Sequence, residues 1–317
     1  MSAAQIHDIP GYESFIKIEF IDKGWSGDVK YYIETAGGQR MLLRTSDVSE
    51  YEYKKTEYGM MGRVHELGVI TSAPLGFGLC NHGKNVYSLS GWIDGKDAME
   101  MLPLMSEAEQ YALGFKSGEI LRTIHTLPAP ADAEPWDSWF CSEMQKRIDY
   151  YNTNPIKSSN GDKIVRFLQN NKSIIKNRPQ CFNHGDFYKS NLIILPDGQI
   201  GVIDFCAYDK DYGDPWREFD QTNWGGEVDA HLWSGLIDGY FSGSQPSSEF
   251  SPPCGFFEIL KYYLAYNALA VMYDAPDNQG RLEEGRLRIN NVLRWYDDMS
   301  NSVPTWYLKD FYVHFVN

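Results

Sequence analysis

Hydrophobic and polar positions alternate along much of the amino-terminal third of the chain, which is the pattern of half-buried strands. Three such runs are separated by glycine-containing turns, which predicts an antiparallel meander. Residues 48–67 instead space their apolar positions as an amphipathic helix does, and the pattern stops at Gly68. The predicted strands lie at 14–22, 29–34, 40–44, 74–79 and 85–89.

Helical spacing dominates the rest of the chain. The helix that follows Ser106 begins with a capping box, because Glu109 stands three residues after the serine. A β-rich insert at 180–208 interrupts the helical pattern. Further helices are predicted at 136–151, 161–176, 229–241, 255–273 and 279–299.

The change of pattern near residue 90 predicts two domains. The length of 317 residues suits two modest domains, and 43% hydrophobic and 15% aromatic residues exclude disorder as the dominant state. We predict an α+β fold. An amino-terminal lobe at 1–92 holds a small antiparallel sheet and one helix, a hinge lies at about 88–95, and a mainly helical lobe spans 96–317.

The excess of acidic residues restricts the partners of the protein. Lys and Arg number 29 against 43 Asp and Glu, so the net charge of −14 repels nucleic acid and favours a cationic small molecule. Five scattered cysteines without CxxC spacing indicate neither a disulfide framework nor a zinc site. No amino-terminal signal pattern is present, and the most apolar helical run, 262–273, is shorter than the ~20 residues of a membrane span. We expect a soluble, cytoplasmic protein without a membrane partner, as a monomer, with a dimer left open.

The segment CFNHGDFYKSNLIILPDGQIGVIDFCAYDKDYGDPWREF, at 181–219, holds the densest set of polar candidates. Two apolar runs flank its turn PDGQ and predict a β-hairpin, at 191–195 and 200–205. Asp186 lies just before the first run, Asn191 lies at its start and Asp204 lies at the end of the second, so a hairpin can bring them together. Two carboxylates and an amide oxygen are hard ligands that suit Mg²⁺ bridged to phosphates.

Each of these three residues then has a chemical task. The full charge of the Asp204 carboxylate suits direct binding of Mg²⁺, and Asn191 adds a neutral oxygen ligand. Asp186 is left to accept the proton of an attacking hydroxyl group and to orient that hydroxyl toward a phosphoryl group. Ordinary turn caps explain an Asp197 in PDGQ but not two acids on either side of an Asn.

The motifs HGDFYKSN, VIDF and GDPWREF together resemble those of the aminoglycoside O-phosphotransferase family, which has a protein-kinase-like two-lobe fold and is related to choline-kinase-like small-molecule kinases. The resemblance implies that Asp186 is the catalytic base and that Asn191 and Asp204 bind magnesium. It also implies that His184 and Asp214 brace the catalytic loop, Asp214 by accepting backbone N–H bonds from it.

The same resemblance implies a nucleotide site in the small lobe. Ser26 and Gly27, between the first two strands, would bring backbone N–H groups to the triphosphate. The connector after the fifth strand would contact the purine through backbone groups, at Ser90, Gly91 and Trp92. Contacts of this kind leave ATP and GTP both open as co-substrate.

The third strand departs from the family pattern, because it offers Arg44 where the family usually has Lys. Arginine can bind phosphate with two nitrogens, but its planar group is larger than an ammonium. Lys30 is therefore an alternative phosphate contact. We expect Glu57 on the following helix as the partner of the basic residue, with Glu52 as its rival.

Acidic residues after the metal motif are the candidates for binding a cationic acceptor, at Asp209, Asp211, Glu218, Glu227 and Asp274. We expect Mg²⁺-dependent transfer of the nucleotide γ-phosphoryl group to a hydroxyl of an aminoglycoside or related antibiotic. One alternative is a metabolic kinase that acts on choline, an amino sugar or homoserine. Another is a pseudokinase that binds nucleotide without catalysis, which three intact catalytic positions argue against.

Overall fold

The computed structural model describes residues 6–22, 27–154, 157–205, 210–223, 228–243, 251–273, 279–309 and 311. The chain divides into two compact units. The first unit consists of Met1–Met101 and Lys189–Cys206, and the second of Leu102–Tyr188 and Ala207–Asn317. The first unit thus includes a segment that the sequence assigned to the helical lobe, while the lobe boundaries themselves stay a prediction.

Strands and helices occur in the order that the sequence pattern predicts. The described strands are β1 (Phe15–Ile21), β2 (Val29–Thr35), β3 (Arg40–Asp47), β4 (Pro74–Cys80), β5 (Asn85–Gly91), β6 (Lys96–Asp97), β7 (Cys181–Phe182), β8 (Leu192–Ile194), β9 (Ile200–Val202) and β10 (Tyr212–Gly213). The described α-helices are α1 (Tyr51–Glu66), α2 (Ala98–Met101), α3 (Glu107–Ile124), α4 (Trp136–Thr153), α5 (Gly161–Asn170), α6 (Ala230–Phe241), α7 (Phe256–Tyr273) and α8 (Gln279–Trp295).

The first unit contains a five-stranded antiparallel sheet in the order β1-β2-β3-β5-β4. Side chains alternate between its two faces, as the period of two requires. One face is buried, with a core that includes Tyr31, Ile33, Met41, Leu43 and Leu89. The opposite face carries charge, because Lys30 on β2 lies directly across from Arg44 on β3.

Helix α1 connects β3 to β4 and begins later than the pattern at 48–67 predicts. Residues Val48–Glu50 form a 3₁₀ turn first. The Asp47 carboxylate accepts a hydrogen bond from the Ser49 backbone N–H at 2.9 Å, so this turn rather than the α-helix receives the cap.

A second, smaller sheet in the first unit joins β6, β8 and β9. Strand β9 also connects with the segment between α1 and β4, since Thr71 pairs with Val202 and the Val202 N–H donates to the Ile70 carbonyl at 2.8 Å. The segment from 189 to 206 is therefore a structural part of the first unit.

In the second unit, α3 and α6 pack backbone against backbone. The predicted capping box at Ser106 and Glu109 is confirmed at the start of α3. Two glycines on each helix lie at the contact, where an added Cβ would come within 2.2 Å of a carbonyl oxygen of the other helix, namely Gly114, Gly118, Gly235 and Gly239. Only residues without a side chain permit this approach.

Helix α7 is largely buried, and α4, α8 and the 3₁₀ helix Pro215–Asn223 pack against it. Helix α8 ends at Trp295 instead of the predicted 299, because Asp297, Asp298 and Met299 take left-handed φ angles of 45°, 52° and 74°. The helix predicted at 161–176 ends at Asn170, and the 3₁₀ helix Lys172–Ile175 follows it. No helix in the described ranges is both long and apolar enough to cross a membrane.

Candidate functional site

The predicted hairpin is confirmed as β8 and β9, which pair from Leu192 and Val202 to Ile194 and Ile200. Its turn is closed by the Asp197 carboxylate, which accepts the Gln199 backbone N–H at 3.0 Å, and by Gly198 at a φ of +79°. The hairpin belongs to the first unit.

Asn191 and Asp204 lie at the open end of this hairpin. The Ile203 N–H donates to the Asn191 carbonyl at 3.0 Å, which holds the segment before β8 against the segment after β9. Asp204 has a φ of +63°, so strand geometry stops short of the predicted residue 205 and the chain turns at Asp204. The Asp204 side chain is 41% exposed, whereas Asn191 is buried.

The donor chemistry at the hairpin end fits Mg²⁺. Asp204 and Asn191 offer oxygen atoms only, and Mg²⁺ is usually held by one or two carboxylates together with water and phosphate oxygens. Among the described residues, no three His, Cys, Asp or Glu side chains are grouped to hold a metal ion. A magnesium ion here would therefore rely on Asp204, Asn191 and phosphate, and it would neutralise phosphate charge.

The guanidinium group of Arg44 contacts three carboxylates of the first unit. Its Nη2 lies 2.7 Å from Asp204 Oδ1, its Nη1 lies 3.3 Å from Glu57 Oε1, and its Nε lies 3.3 Å from Asp28 Oδ2. Burial lowers the pKa of Arg44, but Asp204 and Glu57 outweigh it and the pKa is raised. Glu57, and not its rival Glu52, is thus the helix residue that pairs with Arg44.

Asp28 and Lys54 join this cluster and were missed by the sequence analysis. The Lys54 ammonium lies 2.9 Å from Asp28 Oδ2 and 3.2 Å from Glu57 Oε2. Ser46 donates its hydroxyl to Asp28 Oδ1 at 2.5 Å. The i,i+3 spacing of Lys54 and Glu57 was visible in the sequence, but the sequence did not show that Asp28 pairs with Lys54 and Arg44.

The other predicted nucleotide residues are less closely held together. Lys30 lies across from Arg44, and burial followed by the Arg44 charge lowers its pKa. Ser26 lies outside the described residues. Gly27 is exposed, and an added Cβ there would meet nothing within 4 Å. Neither the turn nor close packing therefore requires glycine at this position.

The backbone donors of the connector are already used within the first unit. The Gly91 N–H donates to the Ala73 carbonyl at 2.8 Å, and the Trp92 N–H donates to the Arg40 carbonyl at 3.0 Å. Ser90 is buried in the pairing of β5 with β3. The purine contact through backbone groups at Ser90, Gly91 and Trp92 stays a prediction, and the N–H groups of Gly91 and Trp92 are already paired within the first unit.

The first part of the predicted catalytic loop, at 184–188, belongs to the second unit, and His184 is fully buried within that unit. The Asp186 backbone N–H donates to His184 Nδ1 at 3.2 Å, which places the proton of the neutral imidazole on Nε2. The His184 ring meets Phe187 edge to face at 5.4 Å. His184 thus holds the backbone of Asp186, in keeping with the bracing role predicted for it.

Two side chains of the 3₁₀ helix Pro215–Asn223 hold the peptide groups before and after Gly185. Glu218 Oε1 accepts the Gly185 N–H at 2.8 Å, and Gln221 Nε2 donates to the Gly185 carbonyl at 3.4 Å. Side chains three residues apart eclipse one another on a 3₁₀ helix, so both reach the backbone of the same residue. Gly185 has a φ of +84°, which glycine adopts without strain.

Glu218 is 5% exposed, and burial raises its pKa to about 8. The nearby Asp220 and Asp186 charges act in the same direction, while the Gly185 hydrogen bond and Arg217 oppose them. The sequence analysis placed Glu218 among the acceptor-binding candidates. In the structure its carboxyl group is buried and holds the loop that carries Asp186.

Asp214 is fully buried, but its carboxylate accepts no hydrogen bond from the loop residues 183–188. Its carboxylate accepts Arg178 Nε at 2.6 Å, the Tyr263 hydroxyl at 2.7 Å and the Trp216 backbone N–H at 3.0 Å. The loop bond expected for Asp214 is instead made by Glu218. Asp214 acts on the loop through its own carbonyl, which accepts Asn183 Nδ2 at 3.2 Å.

A neutral histidine lies at the end of α3. His125 Nδ1 is 2.8 Å from the Tyr240 hydroxyl at the end of α6. Burial, with a smaller contribution from His184, lowers the pKa of His125 to about 3. Its Nε2 is buried without a hydrogen-bond partner among the described residues.

Of the other acceptor candidates, only Asp211 is described. Its side chain is half-buried, and burial raises its pKa. Asp209, Glu227 and Asp274 lie outside the described residues. The predicted convergence of Asp186 with Asn191 and Asp204 stays a prediction, because Asp186 belongs to the second unit and the other two residues to the first.

The two sets of residues are those of a kinase-like phosphotransferase: a strand cation paired with a helix glutamate, and a buried histidine two residues before an aspartate. Comparison with protein families agrees, because the model of the phosphotransferase enzyme family APH matches residues 17–248. The match covers more than half of the chain, which therefore belongs to this family and is an enzyme that phosphorylates a hydroxyl group. No curated protein matches the chain.

Solved structures show the same fold at low sequence identity. ADP-bound aminoglycoside phosphotransferase APH(2'')-Ib is 14% identical, with a TM-score of 0.62 over 88% of this chain and 93% of that one. A macrolide 2'-phosphotransferase from Brachybacterium faecium is 11% identical, with a TM-score of 0.62 over 86% and 92%. An ethanolamine kinase from Plasmodium vivax is 13% identical, with a TM-score of 0.60 over 93% and 86%. The predicted α+β, protein-kinase-like fold is confirmed.

Proposed function

We propose that the chain transfers the γ-phosphoryl group of ATP or GTP, with Mg²⁺, to a hydroxyl group of a cationic small molecule. The first candidate for this acceptor is an aminoglycoside or a related antibiotic. The observation that carries the nucleotide part is the contact of Arg44 with Asp204 and Glu57. This contact pairs Arg44, the cation on β3 that we expect at the phosphates, with Asp204, the carboxylate that we expect at the metal ion.

In this proposal the residues divide the reaction between them. Asn191 and Asp204 would hold the magnesium ion, whose charge offsets that of the phosphates. Arg44 contributes a second positive group at the phosphates. Asp186 accepts the proton of the acceptor hydroxyl as its oxygen attacks phosphorus, and His184, Glu218 and Gln221 keep its backbone in place.

The cationic acceptor is supported by charge. A net charge of −14 attracts polyamine antibiotics, and the acids around Asp211 would orient them if they line the acceptor site. The second candidate is a metabolic alcohol kinase for choline, an amino sugar or homoserine, and the likeness to an ethanolamine kinase favours an amino alcohol within that class. The cytoplasmic location stays a prediction that the free Cys80, Cys141, Cys181 and Cys254 support.

The test is a coupled assay of ADP and GDP release with purified protein and Mg²⁺. Aminoglycosides, macrolides, choline, ethanolamine and amino sugars are the acceptors, and mass spectrometry identifies the phosphorylated product. Turnover with an aminoglycoside supports the first candidate, and turnover with amino alcohols alone supports the second. Silence with every acceptor despite nucleotide binding would overturn both and favour the pseudokinase.

A further inference from the structure

Each nitrogen of the Arg44 guanidinium group lies near a different carboxylate. Nη1 and Nη2 donate hydrogen bonds to Glu57 and Asp204, whereas Nε lies 3.3 Å from Asp28 Oδ2 in an ion pair without a hydrogen bond. The group is only 17% exposed, so its orientation is set by these three partners rather than by solvent. A lysine ammonium has three donors on one nitrogen, whereas the three guanidinium nitrogens are spread over a plane and meet three carboxylates from different directions. The surroundings of residue 44 are thus built for arginine.

Asp28 is the carboxylate in this set that the expected reaction does not use. Its side chain is 3% exposed, and a buried carboxylate is costly unless it is paired and hydrogen-bonded. Burial raises the pKa of Asp28, but the hydrogen bonds from Ser46 and Lys54 outweigh it, so the pKa is lowered and the group is ionised. The charge of Asp28 is therefore retained in order to hold the two cations beside it.

We propose that Asp28 is a positioning residue that allows an arginine on β3 to take the phosphate-binding role. Asp28 holds Arg44 Nε and the Lys54 ammonium together beside the phosphates of the nucleotide. The inference rests on the proposed function, because it assumes that this face of the sheet binds the nucleotide. It assigns Lys54 as a second phosphate-side cation on α1.

The geometry explains what Asp28 adds beyond Glu57. If the Asp204 carboxylate turns to a cation, Arg44 Nη2 loses its partner. The hydrogen bond from Nη1 to Glu57 and the ion pair of Nε with Asp28 remain, so the freed Nη2 keeps its direction and binds a phosphate oxygen at a lower cost in side-chain entropy. Without Asp28, one contact to Glu57 remains, and the guanidinium group can rotate about it.

The experiment is a double-mutant cycle on nucleotide binding with Asp28→Asn, Arg44→Lys and the double variant. Mg-ATP and Mg-GTP are each titrated by calorimetry, and the titrations are repeated with EDTA. We expect each single variant to weaken binding of the preferred nucleotide about tenfold, and the double variant to be no more than about twofold weaker than Arg44→Lys alone. Losses that multiply in the double variant would show that Asp28 acts independently of Arg44 and would overturn the inference.

Two further variants separate positioning from folding. Ser46→Ala removes one hydrogen bond from Asp28 and keeps its charge, and should weaken nucleotide binding about threefold with Arg44 present but not with Lys at residue 44. Asp47→Asn removes an exposed carboxylate at the end of β3 that, among the described residues, accepts hydrogen bonds from Ser49 alone, and should leave binding unchanged within about twofold. Equal losses of nucleotide affinity in Asp47→Asn and Asp28→Asn would mean that Asp28 acts only through the net charge of the protein, which would overturn the inference.

Failure of the inference is distinguishable from failure of the proposed function. A wild-type protein that binds neither Mg-ATP nor Mg-GTP contradicts the proposed function. A wild-type protein that binds one of them, with an Asp28→Asn variant that is folded by circular dichroism and binds equally well, contradicts only the inference.

Discussion

The backbone around Asp186 is fixed by three side chains of its own unit. Glu218 accepts the Gly185 N–H, Gln221 donates to the Gly185 carbonyl, and His184 accepts the Asp186 N–H. A general base contributes only when it lies within hydrogen-bond reach of the proton that it accepts. Rigid support of the backbone is how such a position is kept.

Replacement of the proposed base tests this role directly. Asp186→Asn keeps the size of the side chain and removes its basicity, so kcat should fall by about 10²–10⁴-fold. Nucleotide affinity should stay within about threefold, because the base does not bind the nucleotide. Single-turnover kinetics and calorimetry measure the two quantities. An Asp186→Asn enzyme with a kcat near that of the wild type would remove Asp186 from the mechanism.

Glu218 makes the stability of the protein depend on pH. Its pKa is about 8 in the folded protein, against 4.5 for an ordinary glutamate, so the unfolded chain releases this proton at lower pH than the folded one. The free energy of unfolding should therefore fall as pH rises through this window, by at most about 1.4 kcal/mol per pH unit from this one group.

Glu218→Gln keeps an oxygen that can accept the Gly185 N–H and removes the titration. Urea unfolding at pH 5, 6.5 and 8 should show the Gln variant gaining stability relative to wild type as pH rises. A difference between the two proteins that is constant over this range would mean that Glu218 is ionised throughout.

At the scale of elements, the contact of α3 with α6 is the most sensitive to small changes. An added Cβ at Gly118 would lie 2.1 Å from the Leu236 carbonyl oxygen, so Gly118→Ala must push the helices apart. We expect a loss of about 1–3 kcal/mol in the free energy of unfolding, as for other overpacked sites. Denaturant titration measures it.

Gly59 provides the matched control, since it lies inside helix α1 with nothing within 4 Å of an added Cβ. Gly59→Ala should stabilise the protein by about 0.5–1 kcal/mol, because alanine is the better helix former. If Gly118→Ala were equally stabilising, the close packing of α3 and α6 would be wrong.

The sequence predicted elements better than their ends or their partners. Alternation and helical spacing gave the strands and helices, because both follow from local periodicity. Strand β9 ends before Asp204 and helix α8 ends before Asp297, where the backbone is left-handed. An aspartate does not by itself predict a left-handed backbone, so the sequence did not predict these ends. The cluster of Asp28, Lys54 and Arg44 joins the residue before β2 to a helix and a strand. These residues are far apart in the sequence, so the cluster becomes visible only in the folded structure.

The sequence motifs predicted the pair of Arg44 and Glu57 but not which carboxylate holds the catalytic loop. Arg44 and Glu57 are paired as expected, because the family pattern names both positions. The support of the catalytic loop was assigned to Asp214, whereas Glu218 provides the carboxylate, four residues further along the same segment. A motif gives the neighbourhood of such a contact, and the path of the backbone decides which side chain reaches it.

At the scale of the whole molecule, the net charge of −14 makes a prediction about salt. If the acceptor is a polycation, kcat/KM for the acceptor should fall about tenfold between low and high ionic strength, because screening removes long-range attraction. The KM for the anionic nucleotide is the internal control and should not rise in the same way. A kcat/KM for the acceptor that does not change with salt would favour an uncharged acceptor.

The first unit is assembled from two separate stretches of chain, and synthesis on the ribosome makes them far apart in time. Strand β6 pairs with β8, and Thr71 pairs with Val202 of β9. Both β8 and β9 are synthesised only after α3, α4 and α5. Domains generally fold as they leave the ribosome, from the amino terminus onward. Here the amino-terminal unit is completed late, and until then a nascent chain exposes unpaired strand edges that chaperones recognise.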